Sequence, residues 1–265
     1  MQAKVNLPLL CHDLEAPAAF TAEGLVQSLR AARRLAAVPV PPICVLDFDG
    51  DLTDWLVRHR LVEPFEPWAC FHTTMYWFEA EGIRCGIIAR TIGGPYAVLI
   101  AEQLHVCGAR LILGLTSAGR VSPTLPLPSL VIPTSAVRDE GTSFHYLPPS
   151  ALVGAPTPVN DLLAEELRPL GIPVAQGCVW TTDAPYRETE DDLQKHANGG
   201  VLAVEMQTAS LFAFAAARGA RVVVVAHLTN AVDHQEEQFD KGTDEESFLL
   251  LKAMLRAGRR FLTAQ

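Results

Sequence analysis

The sequence predicts an α/β fold, a mostly parallel sheet covered by helices on both faces. Three observations predict it. Helical and strand-like segments largely alternate along the chain. The strand-like segments are continuous apolar runs, such as 43–48 and the four valines within 222–226, the pattern of strands buried on both faces. Small and polar residues cluster where several of these runs end, at the edge where open α/β sheets bind ligands.

Residues 1–19 are polar and interrupted by prolines, and read as an arm. Thr21 caps a helix over 22–37, with Leu25, Leu29 and Leu35 on roughly one face. The prolines of 39–42 end that helix and launch the strand 43–48. Segments 71–81 and 83–91 read as a hairpin about Glu81-Gly82. Gly93-Gly94-Pro95 opens a helix to about residue 107, with Pro95 in its first turn. A strand over 111–115 runs into the turn Thr116-Ser117-Ala118-Gly119, and a further strand covers 130–137. Then come helix 158–170, strand 173–181, helix 188–197, strand 201–205, helix 208–219, strand 222–226 and a closing helix over 244–262. With no repeat or linker to divide it, the chain reads as an arm and helix (1–42) followed by one domain (43–265).

A composition of 49% hydrophobic and 19% charged residues belongs to a folded chain. The net charge of −9 argues against a nucleic-acid surface, which needs a basic stripe. The six cysteines form no CxxC pair and sit mostly in apolar runs, as buried thiols in a reducing compartment do. No secretory leader and no apolar segment of membrane-spanning length is evident, so no membrane partner is expected and a cytoplasmic location is.

Four polar clusters fall at strand ends: 90–94, 116–120, 180–187 and 205–207. Small residues after a strand let backbone N–H groups approach a ligand, and a helix N-terminus favours anions. Ser117 is either a donor to an oxyanion or hydroxyl, or an ordinary turn serine. Trp180 either stacks on a planar base or packs in the core. Glu205 either meets a ligand or caps the helix that follows it. The eight histidines show no HxH or HxxxH pair, so no metal is expected. There is no GxSxG elbow for a serine nucleophile. His145 is a lone loop histidine.

Four stretches in order, TIGGPYAVLIAEQL (91–104), SLVIPTSAVRDEGTSFHYLPP (129–149), WTTDAPYRET (180–189) and VLAVEMQTASLFAFA (201–215), resemble the nucleoside phosphorylase and nucleosidase superfamily. The resemblance implies a three-layer α/β/α domain whose central mixed sheet is partly barrel-like. It also implies a homo-oligomer (dimer, trimer or hexamer) and a small nucleoside-like substrate cleaved at its N-glycosidic bond. By the same resemblance Met206 lies along the ribose, Glu205 meets a sugar hydroxyl and Trp180 packs against the base. Arg90, Thr91 and Gly93 belong to the loop beneath the sugar, and Ser117, Ala118 and Gly119 to a phosphate or sugar turn. Such a site orients the ribose and stabilises charge as the C1′–N bond lengthens.

Several departures from the family pattern bear on the reaction. Where phosphorolytic members hold phosphate with an arginine after the first strand, this chain reads Asp47-Phe48-Asp49-Gly50-Asp51. Gly114 and Phe71 stand at two further arginine positions. Arg90 and Arg120 are the candidate replacements. Gln207 replaces a ribose-binding glutamate, and Asn230 falls near the aspartate that protonates a purine, with Asp233 close by. Asn230, Asp233 and Glu205 are therefore the candidate catalytic residues. No cofactor is expected, and inorganic phosphate is the one candidate co-substrate. The TSAG turn is closer to nucleosidases, which use water. The competing expectation is a repurposed member that binds a nucleoside-like ligand without turnover, or that uses Asp47, Asp49 or Asp51 on another planar metabolite.

Overall fold

Among the described residues ten strands pair into one sheet that closes partly on itself. The computed structural model describes residues 7–231 and 242–264. The strands are β1 (Ile43–Asp47), β2 (Glu63–Pro64), β3 (Met75–Ala80), β4 (Ile83–Ala89), β5 (Leu111–Arg120), β6 (Ser129–Asp139), β7 (Leu152–Gly154), β8 (Val174–Thr182), β9 (Val201–Glu205) and β10 (Val222–Ala231). The helices are α1 (Ala22–Arg33), α2 (Asp51–Arg58), α3 (Gly94–Val106), α4 (Asn160–Leu167), α5 (Glu190–Asn198), α6 (Thr208–Arg218) and α7 (Asp244–Thr263).

Strands β5, β10, β6, β8 and β9 form a closed ring, and β1, β4, β3 and β2 extend from β5 as an open wing. The ring closes through the antiparallel pairs β10–β6 and β5–β9 and the parallel pairs β5–β10, β6–β8 and β8–β9, and β7 pairs antiparallel with β6 from outside it. The sheet is therefore mixed, as the family resemblance implies, while most of its paired length is parallel, as the apolar runs suggest. One buried cluster joins Val26 and Leu29 of α1 and Leu104 of α3 to Leu211, Phe212 and Phe214 of α6. A second joins Leu56 of α2, Leu163 of α4 and Leu251, Met254 and Leu255 of α7. Helices thus cover the sheet in two layers.

Local chemistry explains the element ends. Thr21 caps α1 by accepting from the N–H of Gly24. Thr243 and Glu246 form a reciprocal capping box on α7. Glu81 and Gly82 both take positive φ (52° and 71°), as a two-residue hairpin turn needs. The sequence reading leaves out α2, whose eight residues bury only Leu52, Thr53 and Leu56. Strands β5 and β10 run past their expected ends because they pair with each other, His227 opposite Ser117 and Asn230 opposite Gly119. The expected Thr116–Gly119 turn is therefore strand. Among the described residues no helix is long and apolar enough to cross a membrane.

Candidate active site

Several strands carry polar side chains at or just past their carboxyl ends, and most of these have a definite partner. At the end of β1, Asp47 is 3% exposed. Its Oδ1 accepts from Gly50 N (3.1 Å), and its Oδ2 accepts from Thr53 N (2.8 Å) and Thr53 Oγ1 (2.7 Å). This carboxylate ties down the first turn of α2. Burial pushes its pKa up to about 6, and the three donors hold it back from going further.

Two residues on, Asp49 meets β5. Ser117 N donates to Asp49 Oδ2 at 3.0 Å, and Ser117 Oγ donates to Oδ1 at 3.2 Å. A carboxylate thus takes both donors that an oxyanion would use. The candidate replacement cations are engaged nearby. Arg90, at φ 57°, pairs with Asp54, and Arg120 donates to the carbonyl of Leu125 at 3.2 Å. Gly114 has no room for a side chain, since an added Cβ would sit 2.9 Å from the Phe48 ring. Phe71 is 60% exposed, with the Arg33 guanidinium 5.1 Å from its ring centre.

These residues border an open cavity of about 640 Å³ beside the end of β1 and the middle of β5 and β10, walled by α2 and the start of α7. Its lining includes Asp47, Asp49, Asp51, Asp54, Ser117 and His227. Trp180 and residues 205–207 do not line it.

At the end of β9, Glu205 is 5% exposed, and burial raises its pKa. It accepts from Thr181 Oγ1 (2.6 Å), Gln207 N (2.7 Å) and Thr208 N (2.8 Å). That is the helix-capping alternative in geometric form, on the N-terminus of α6. Gln207, 1% exposed, accepts from Gly93 N at 3.2 Å and donates to Thr116 Oγ1 at 3.0 Å. It fixes the glycine turn against β5. Met206, between them, is half-buried and is the most open of the three.

Gly93 takes φ 88°, and nothing lies within 4 Å of where a Cβ would stand, so the turn presents bare backbone. Thr91 is fully buried, and its Oγ1 has no hydrogen-bond partner among the described residues. Ala118 and Gly119 are half-buried on β5. Asn230, 7% exposed, donates from Nδ2 to Thr229 Oγ1 at 3.1 Å. Asp233 lies outside the described residues. Trp180 is 3% exposed, donates to Asp139 Oδ2 at 3.0 Å and stacks on His196 with ring centres 4.3 Å apart. It shares a small core with Val201 and Val204. His145 lies against His12, ring centres 4.0 Å apart, and burial lowers its pKa.

One group escapes the sequence reading. Glu140 is 6% exposed, and its Oε2 accepts from Ser143 N (2.9 Å) and Ser210 Oγ (2.5 Å). Ser210 in turn backs onto Gly94, where an added Cβ would stand 2.2 Å from its Oγ. Glu140 thus joins the end of β6, helix α6 and the glycine turn. The signal available was a carboxylate inside the specific 129–149 stretch, without the apolar periodicity that marks a core.

The family model described as "Phosphorylase superfamily" matches residues 42–257. The uridine phosphorylase of Escherichia coli strain K12 is 25% identical over 253 residues, covering 90% of this chain and 96% of that protein. A guanosine phosphorylase of Halorubrum lacusprofundi is 25% identical over 176 residues, covering 65% and 70%. A protein named R802 from Acanthamoeba polyphaga mimivirus is 33% identical over 127 residues, about half of each chain (48% and 49%).

Proposed function

Because the chain belongs to the phosphorylase superfamily, we propose that it cleaves the N-glycosidic bond of a nucleoside or related ribosyl compound, with water as the acceptor. The observation that carries the choice of acceptor is the double hydrogen bond from Ser117 to Asp49. A phosphate brought to the same donors would meet a carboxylate, and like charges in a partly dry cleft repel strongly. Water meets no such barrier.

In this reading the ribose lies between Met206 and the bare backbone at Gly93. Glu205 and Gln207 set the frame by fixing α6 and the glycine turn. As the C1′–N bond lengthens, positive charge develops on the ribosyl ring. Asp49 accepts a proton from the attacking water while Ser117 holds the carboxylate in place. Asn230 donates a hydrogen bond to the departing base and has no proton to give up. The exposed apolar side chains Phe71 (60%), Ile92 (52%) and Leu99 (40%) support assembly with further copies. The free cysteines support a reducing, cytoplasmic setting.

The test is a nucleoside panel incubated with and without phosphate, following free base. Equal release in both supports hydrolysis, and release only with phosphate removes it. A second reading, ligand binding without turnover, is favoured by Glu205, whose oxygens are already engaged by protein donors. Tight calorimetric binding with no base release would select it.

A further inference from the structure

The groups at the glycine turn and at the end of β9 bear on which sugars the site can tell apart. Gln207 is 1% exposed and engages both ends of its amide with protein, accepting from Gly93 N at 3.2 Å and donating to Thr116 Oγ1 at 3.0 Å. Glu205 is 5% exposed, with its oxygens on Thr181 Oγ1, Gln207 N and Thr208 N. Gly93 has its N–H on Gln207, and its carbonyl accepts from Ala97 N at 2.9 Å. Ser210, in the first turn of α6, gives its hydroxyl to Glu140, and Arg90 turns to Asp54 of α2. Within 91–94 and 205–208 the residues that are not buried are Ile92, Gly93 and Met206. What the two segments leave accessible is therefore apolar: an isoleucine side chain, the open Cα face of Gly93 and a thioether.

Resting on the N-glycosidic reading above, in which the sugar lies between Met206 and Gly93, we propose that the site does not read the sugar 2′-hydroxyl and takes ribosides and 2′-deoxyribosides alike. A pocket built to hydrogen-bond a substrate hydroxyl rejects the analogue lacking it by about 10⁴-fold, because the pocket's own polar group is left unpaired. Here loss of the 2′-hydroxyl strands neither side chain, since the carboxylate at 205 and the amide at 207 keep their protein partners whichever sugar is bound. A thioether and a Cα pack on a furanose ring by shape, which differs little between the two sugars. The departure at Gln207, where the family resemblance implies a ribose-binding glutamate, thus acquires a physical meaning. A carboxylate has no N–H to give Thr116, whereas the amide serves Gly93 and Thr116 together. The bond chemistry is the same for both sugars. The water oxygen bonds to C1′, and its proton passes to Asp49 and on to solvent. The C1′–N electron pair leaves with the base, which takes up one proton from solvent.

The experiment gives the full chain uridine and guanosine, each beside its 2′-deoxy counterpart, and follows free base. Each kcat/KM is divided by that compound's uncatalysed hydrolysis rate, because the electron-withdrawing 2′-hydroxyl by itself slows loss of the base. The expected result is that riboside and deoxyriboside enhancements lie within about tenfold of each other. A wider gap overturns the proposal and leaves N-glycosidic cleavage standing. Gln207→Ala, and the conservative Gln207→Glu that keeps an acceptor for Gly93 N, should lower the enhancements of both sugars by the same factor, within about twofold. Thermal melts identify the variants that fold, and the wild-type comparison stands without them. A fall confined to the ribosides assigns Gln207 to the hydroxyl and overturns the proposal. Base released from neither pair overturns the proposal together with the reading it rests on.

Discussion

Ser117 gives its backbone N–H and its hydroxyl to a single carboxylate, that of Asp49, at 3.0 and 3.2 Å. Asp49 follows the end of β1 and Ser117 lies within β5, and the two strands lie side by side in parallel register from Ile43 opposite Leu111 to Asp47 opposite Leu115. The register brings the residues that follow β1 beside Ser117. If Asp49 is the water-activating base, Asp49→Asn should lower kcat by about 10² or more, the usual contribution of a general base. KM should stay within a few-fold, since the amide still meets Ser117. Steady-state kinetics check this, and an unchanged kcat would remove Asp49 from the chemistry.

Glu205 is predicted to matter for stability before it matters for ligand. Three donors converge on its buried carboxylate. Glu205→Ala strips all three and should cost about 2–4 kcal/mol, allowing about 1–3 kcal/mol for each unsatisfied buried group and partial relaxation. Urea unfolding measures it. A loss below about 0.5 kcal/mol would show that the cap contributes little.

Asp47 makes stability depend on pH with a definite sign. Burial lifts its pKa from the ordinary 3.8 to about 6. Between those values the folded protein holds a proton that the unfolded chain has released. Stability contributed at low pH is therefore lost as pH rises from about 4 to about 6, by at most about 3 kcal/mol. Urea midpoints across that window should fall more steeply for the wild type than for Asp47→Asn. Parallel curves would contradict the assignment.

The approach of Gly94 to Ser210 predicts a coupled pair. A Cβ on Gly94 would stand 2.2 Å from Ser210 Oγ, which is fully buried and bound to Glu140. Gly94→Ala should destabilise by about 1–3 kcal/mol through overpacking. Ser210→Ala in the same chain should recover part of that loss, because the clashing atom is gone. A double-mutant cycle by chemical denaturation reads the coupling, and strict additivity would count against the contact.

Trp180 carries a prediction of the same kind. At 3% exposure, packed with Val201 and Val204 and stacked on His196, its removal should cost about 3–5 kcal/mol. If Trp180 instead served the base, Trp180→Ala would weaken nucleoside binding with little change in unfolding free energy. Calorimetry and denaturation on one variant separate the two.

These particulars show where the sequence speaks clearly. β1, β9, α3 and α6 follow from continuous apolar runs and from the Gly-Pro start at 93–95, because burial on both faces leaves an unbroken hydrophobic trace. Helix α2 leaves almost none, with two buried leucines in eight residues and a start fixed by Asp47 from outside the helix. Thr116–Gly119 reads as a turn, since small polar residues usually make one, and becomes strand through pairing with β10, more than a hundred residues away, and at Gly119 with β9. Glu140 is found only in three dimensions, and so is the structural part that Gln207 plays. What makes each one structural is a partner distant in sequence, Ser210 for one and Gly93 for the other.

The most direct test of the account follows the sugar and not the base. A cleavable riboside is incubated with the protein in phosphate buffer and watched by phosphorus NMR, with free ribose assayed in parallel. The account predicts ribose appearing in step with base, at a rate indifferent to phosphate, and no sugar-phosphate resonance. A ribose 1-phosphate signal growing with the base, and a rate that vanishes without phosphate, would contradict it.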